Sequence, residues 1–195
     1  MRLLILTCAM LALAACQKPR DANEAAGTNE VTATAAPGPV KGVDRSHKGE
    51  AAPAASFDNP EGGKINLAKF KGVPVLVNLW ASWCAPCVKE LPTLDKLAAR
   101  HRSDGQLGVV AVSQDSGPQP SVLAFLARLK VKDLGAYHDP DMALSGALGP
   151  DTVLPTSILY DAEGKEVWRY IGDLDWTGPD AARLLDEAAG GAAKR

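Results

Sequence analysis

The sequence has no block of like charge, no second cysteine pair beside its CxxC, no histidine grouping and no internal repeat, and each absence removes a class of protein. Lys and Arg total 21 against 23 Asp and Glu, a formal net charge of −2. Neither nucleic acid nor an anionic membrane surface is therefore expected as the main partner. The three histidines, His47, His101 and His138, are far apart and lack ligand spacing. A structural zinc site asks for about four ligands, so no metal is expected. Nothing resembles a dedicated dimerisation segment, and a monomer is expected. What remains is 195 residues, 46% apolar and 23% charged, an ordinary globular composition with length for one domain and some to spare.

The N-terminus is more specific. An apolar run from Leu3 to Ala15 is broken only by Thr7 and Cys8, and it falls short of the roughly 20 residues that cross a bilayer. Behind Met1-Arg2 it has the parts of an export signal. The break Leu13-Ala14-Ala15-Cys16 resembles the lipobox of bacterial lipoproteins. That resemblance implies cleavage before Cys16 and a lipid on its thiol and new amino terminus; the alternative is an ordinary signal peptide with Cys16 near the cut by chance. From Gln17 to about Pro53 there is little to bury and no periodicity, as in a flexible tether. The expected organisation is a signal peptide over 1–15, a lipidated N-terminus and tether over 16–53, and a folded domain over 54–195. The expected location is periplasmic, anchored to a membrane by lipid. Only Cys84 and Cys87 would keep redox chemistry, in an oxidising compartment where thiols matter if something recycles them.

Order is expected from near Ser56. The turn-rich stretch Asn59-Pro60-Glu61-Gly62-Gly63, flanked by Phe57 and Ile65, predicts a small hairpin. Val73 to Trp80 is a nearly continuous apolar run, as in a strand buried on both faces. Cys87 to about His101 predicts a helix with Leu91, Leu94, Leu97 and Ala98 on one side. A second buried strand is expected over Leu107 to Val112 and a helix over Pro120 to Lys130. A short strand near Tyr137 and a short helix from Asp141 to Leu148 follow. Thr156 to Tyr160 and Glu166 to Ile171 read as strands joined by a turn, and Asp180 to Ala189 as a closing helix. Together these predict an α/β domain with a mixed central sheet flanked by helices.

The chemistry sits in Trp83-Cys84-Ala85-Pro86-Cys87, between a buried strand and a helix. Cys84 falls at the helix N-terminus, where free backbone N–H groups and the helix dipole favour a thiolate. Cys87, within the first turn, is placed to attack a mixed disulfide formed by Cys84. The pattern predicts an exposed nucleophile and a buried resolving thiol, with no cofactor beyond the cysteine pair. Three other readings stay open: a zinc site, a purely structural disulfide closing a tiny loop, and a copper-carrying site with His138 as third ligand.

The stretch from Val75 to Pro92, Val-Leu-Val-Asn-Leu-Trp-Ala-Ser-Trp-Cys-Ala-Pro-Cys-Val-Lys-Glu-Leu-Pro, resembles the active-site region of the TlpA/ResA-type thioredoxin-like proteins. The likeness runs from about Ser56 to the C-terminal helix. It implies a thioredoxin fold with an N-terminal hairpin and a strand–helix insertion, about Val131 to Gly149, before the cis-proline strand. It also implies that Cys84 attacks, Cys87 resolves, Trp83 borders the reactive sulfur and Pro155 is the cis-proline. Pro92 matches the proline that kinks the active-site helix. Glu90 matches an acid one turn beyond the resolving cysteine, able to accept its proton or to raise thiol pKa values; the alternative is a solvated helix charge. Asn78 stands where ordinary thioredoxins place a buried aspartate. The implied partners are protein disulfide or dithiol substrates, of the cytochrome c maturation or copper-site assembly type, and a membrane thiol electron donor. The expected function is disulfide reduction; a disulfide-donating oxidant and a copper-binding module are the alternatives.

Overall fold

The computed structural model describes residues 41–150 and 152–192. The expected signal peptide, Cys16 and most of the expected tether lie outside the described residues. At the centre is β4 (Val75–Trp80), all six of whose residues are buried. It pairs in parallel with β5 (Gly108–Ser113) on one side and antiparallel with β7 (Thr156–Tyr160) on the other. Beyond β7 lie β8 (Glu166–Ile171) and β1 (Gly42–Asp44); beyond β5 lie β6 (Tyr137–His138), β2 (Phe57–Asp58) and β3 (Lys64–Ile65). The result is one mixed eight-stranded sheet in the order β1-β8-β7-β4-β5-β6-β2-β3. The expected hairpin is β2–β3, with Phe57 opposite Ile65. The expected insertion is β6 followed by α3 (Ala143–Leu148).

Strand alternation sorts the core onto two faces. Leu76 and Trp80 of β4, Ala111 of β5 and Leu159 of β7 pack with α1 (Ala85–Arg102), α2 (Gln119–Arg128) and α4 (Pro179–Ala192). Val75, Val77 and Leu79 turn the other way, towards Phe57, Leu67, Leu144 and Leu148. Burying one such aliphatic side chain is worth roughly 1.5–3 kcal/mol, so β4 anchors the sheet from both faces. The same alternation puts Asn78 on the face that α1 covers, and there its amide meets the helix rather than solvent. α1 continues through Pro92, whose missing N–H leaves the Val88 carbonyl without its usual helical donor.

The ordered chain reaches back past the expected boundary at residue 54. Gly42, Val43 and Asp44 of β1 lie opposite Ile171, Tyr170 and Arg169 of β8. Gly49 donates its N–H to the Glu166 carbonyl at 2.7 Å, and the Glu166 N–H donates to the Glu50 carbonyl at 2.8 Å. Arg45 adds an ion pair to Glu187 of α4 at 2.5 Å. His47, expected as a linker residue, lies in this stretch with Nδ1 3.1 Å from the Glu50 carboxylate. Over 41–53 the tether reading erred because this segment is held by backbone hydrogen bonds to an open sheet edge, which leave no mark in hydrophobic composition.

A chain beginning at residue 54 should therefore fold less stably than one beginning at Lys41. The loss should be about 2 kcal/mol or more, at roughly 0.5–1.5 kcal/mol per net hydrogen bond. Urea unfolding of the two oxidised proteins measures it, and equal midpoints would contradict the pairing.

Candidate active site

The end of β4 hands the chain to α1 through Ala81-Ser82-Trp83, and Cys84 caps the helix with extended backbone, φ −89° and ψ 97°. Its Sγ accepts the Cys87 N–H at 3.4 Å, the contact expected of a side chain at an uncovered helix start. Pro86 occupies the first turn, where a missing N–H costs no helical hydrogen bond. Cys84 and Cys87 are joined as a disulfide, with Cα atoms 5.3 Å apart. Cys87 has no exposed surface, as expected of a resolving thiol. Cys84 departs from the expected exposed nucleophile: it is 6% exposed, because its sulfur is turned inward onto Cys87. The exposed neighbour is Trp83, at 70%.

The segment before the cysteines is tied down by Asp115, which follows β5. Its carboxylate accepts from the Ser82 N–H at 3.1 Å, the Ser82 hydroxyl at 2.7 Å and the Ser113 hydroxyl at 2.7 Å. Beside Trp83 a hollow of about 240 Å³ opens, lined in part by Ser82, Asp115, Gly117, Phe125 and Arg128. Pro155 follows a cis Leu154–Pro155 bond. It immediately precedes β7, whose Thr156 lies opposite Leu79, so it sits at the same end of the sheet as the cysteines. Its carbonyl accepts the Gly172 N–H at 2.9 Å.

Glu90, one turn after Cys87, is 2% exposed, which excludes the solvated helix charge. Asn78 Nδ2 donates to its Oε1 at 2.7 Å and to Ser157 Oγ at 2.9 Å. The Leu174 N–H reaches Oε2 at 3.1 Å and the Trp176 indole N–H reaches it at 3.3 Å. Burial dominates and pushes the carboxyl pKa up to about 7; the Asn78, Leu174 and Trp176 donors pull it down, and Asp173 pushes it slightly further up. Asn78 Oδ1 is itself buried without a partner. The motif and the resemblance single out Cys84, Cys87, Trp83, Glu90 and Pro155, and the structure places them at one end of the sheet and the start of α1. Sequence reasoning missed Asp115, Ser157, Leu174 and Trp176, which come from loops and a strand with no motif of their own.

His138 is not gathered with the cysteines. It is 2% exposed, and its Nε2 lies 2.7 Å from the Asp115 carbonyl, so that nitrogen carries the hydrogen and donates. Among the described residues no group of three His, Cys, Asp or Glu side chains could hold a metal ion.

These features have counterparts in known proteins. The Redoxin family profile matches residues 47–185. The chain is similar to a thiol-disulfide oxidoreductase ResA of Bacillus cereus, 34% identical over 127 residues, 64% of this chain and 70% of that protein. The crystal structure described as a thiol:disulfide interchange protein DsbE from Chlorobium tepidum superposes with a TM-score of 0.60 at 27% identity, covering 74% of this chain and 96% of that one. The exposed lipoprotein thioredoxin of Streptococcus pneumoniae does so with a TM-score of 0.57 at 26% identity, covering 68% and 97%.

The raised Glu90 pKa has a stability consequence of definite sign. Between about pH 4.5 and pH 7 the folded protein holds a proton that the unfolded chain releases, so stability falls as pH rises through that window. Above it the buried charge costs on the order of 3 kcal/mol. Glu90→Gln should flatten this slope and stabilise the oxidised protein at pH 8 by roughly 1–3 kcal/mol. Urea titrations at pH 5 and pH 8 decide the matter: a variant less stable than the parent at pH 8 contradicts the assignment.

Proposed function

Since the chain belongs to the redoxin family and, within it, to the ResA-like thiol–disulfide oxidoreductases of thioredoxin fold, we propose that it is an extracytoplasmic reductase of disulfides in partner proteins. Cys84, as thiolate, attacks one sulfur of a partner disulfide, and the partner's other sulfur leaves and takes a proton. Cys87 gives its proton to Glu90 and attacks Cys84 Sγ. The mixed disulfide breaks, the partner's second sulfur leaves and takes a proton, the partner departs as a dithiol, and two electrons have passed to it as Cys84–Cys87 becomes a disulfide. A membrane thiol donor then restores the dithiol. No cofactor other than the cysteine pair takes part.

The observation that carries this direction of electron flow is the sparse support for negative charge at Cys84. Its sulfur accepts one backbone N–H, and the residues between the cysteines, Ala85 and Pro86, offer neither a cation nor a side-chain donor. Strong oxidants depend on a heavily stabilised thiolate. A buried acid one turn from Cys87 works against thiolate, raising thiol pKa values by like-charge repulsion. Trp83 and the loop before β7 are the surface on which a partner segment rests. Its targets are of the kind the resemblance implies, haem-binding cysteines of apocytochrome c or cysteines of copper-site proteins. Cys16 carries the lipid that keeps the protein at the membrane on the periplasmic side, and the likeness to an exposed lipoprotein supports that placement.

Equilibration of Cys84–Cys87 with defined thiol buffers, followed by tryptophan fluorescence, should give a potential of roughly −270 mV. A value near roughly −120 mV would reverse the direction of electron flow. Tight Cu(I) binding without acceleration of insulin reduction would favour the copper-binding module. For the anchor, Cys16→Ser should move the protein from the membrane to the soluble fraction; unchanged membrane association would refute lipidation at that residue.

A further inference from the structure

Glu90 is gripped from the loop between β8 and α4 as well as from the sheet. On Oε1 the donor is Asn78 of β4; on Oε2 the donors are the Leu174 N–H and the Trp176 indole N–H. Trp176 is 1% exposed and takes hold of the same helical turn a second time. Its backbone N–H donates to Thr93 Oγ1 at 3.2 Å, and the Thr93 hydroxyl donates to the backbone carbonyl of Glu90 at 2.8 Å. The other buried indoles behave differently. Trp80 has no partner for its N–H, and Trp168 donates to the Leu184 carbonyl at 3.0 Å, within the packing of α4. Of these three, Trp176 alone directs its N–H at an ionisable group.

We propose that Trp176 is a positioning residue of the thiol–disulfide reaction, its indole N–H holding the Glu90 carboxylate in the orientation from which it exchanges a proton with Cys87. This rests on the reading of Glu90 as the proton acceptor. The step is a proton transfer alone: the Cys87 S–H bond breaks, a Glu90 O–H bond forms, and no electrons leave the pair.

An N–H aimed at a carboxylate favours its ionised form, whereas burial favours the protonated form. Trp176 thus sets how readily the acid gives up the proton it takes. The other charges around Glu90 are largely engaged with one another. Asp173, on the same loop, opposes ionisation and is paired with Lys41 at 2.6 Å and with Lys89 of α1 at 3.3 Å. From β4 and β7 the acid's network receives only the neutral Asn78 and Ser157. On α1 itself Cys87 lies one helical turn before Glu90, and Lys89, which adjoins it in sequence, is the one already paired with Asp173.

The test uses the full chain carrying Trp176→Phe, which keeps an apolar ring and removes the N–H. The protonation midpoint of Glu90 is read by carboxyl ¹³C NMR, assigned against Glu90→Gln. The rate at which Cys87 resolves a mixed disulfide on Cys84 is followed against pH. The midpoint should rise by about one pH unit, a tenfold change in the protonation equilibrium. The pH–rate profile should move the same way, and Trp176→Phe should add nothing in a Glu90→Gln background. An unchanged midpoint, or an equal rate effect in the Glu90→Gln background, overturns the proposal and reduces Trp176 to packing. A raised midpoint with identical pH–rate profiles for the parent, Trp176→Phe and Glu90→Gln overturns the proton-acceptor reading instead, leaving the contact intact. Should Trp176→Phe fail to fold, 3-benzothienylalanine at position 176 replaces the N–H with sulfur at nearly constant shape, and the same two readouts apply.

Discussion

A carboxyl group with 2% exposure must be solvated by the protein, and much of this site is arranged around that requirement. Glu90 draws one donor from the central strand and two from the loop that follows the last strand, so it ties together segments distant in sequence. Asn78 extends the tie to Ser157, two residues beyond the cis-proline. The helix that begins at Cys84 is thereby fixed against both the strand that delivers the cysteines and the strand that opens at Pro155. An aspartate at position 78 would set a second carboxylate against the first. An amide instead offers donors to an ionised Glu90, and its unpartnered Oδ1 offers an acceptor, after rotation, to a protonated one.

The scaffold supplies the rest by alternation. β4 buries every residue, with Leu76, Asn78 and Trp80 towards α1 and Val75, Val77 and Leu79 towards the insertion. A slip of one residue would exchange Asn78 for a leucine or valine beneath the helix and leave the acid without its shortest donor. At the far end of the strand, Asp115 holds Ser82 by both backbone and hydroxyl. The turn that presents Trp83 is therefore tied to the loop after β5 as well as to the helix behind it.

Much of this was legible in the residues. The continuous apolar run of β4, the leucines of α1 and the turn between β7 and β8 mark their elements to within a residue or two. The cysteine pair announces itself by its place at a strand–helix junction, and Glu90 and Pro155 stand out by resemblance. Two kinds of feature were not legible. β1 and the stretch to Ala52 are held by main-chain hydrogen bonds to β8 and to the turn before it, and any polar sequence without proline at the paired positions would serve equally. Trp176, Leu174 and Asp115 act across long sequence separations from loops where no periodicity applies, and only tertiary structure shows what they touch.

The pairing of β1 with β8 joins the first described strand to the last. In synthesis the chain is presented in order, so β1 exists long before its partner does. β7 then keeps an unpaired outer edge until almost the whole domain has appeared. Covering β7 marks completion: a chain cut short before residue 166 can build β4 and the cysteine helix but neither covers β7 nor supplies the loop donors to Glu90. Truncated products would thus leave β7, a strand paired on both sides in the finished sheet, with an unpaired edge of the kind that templates aggregation.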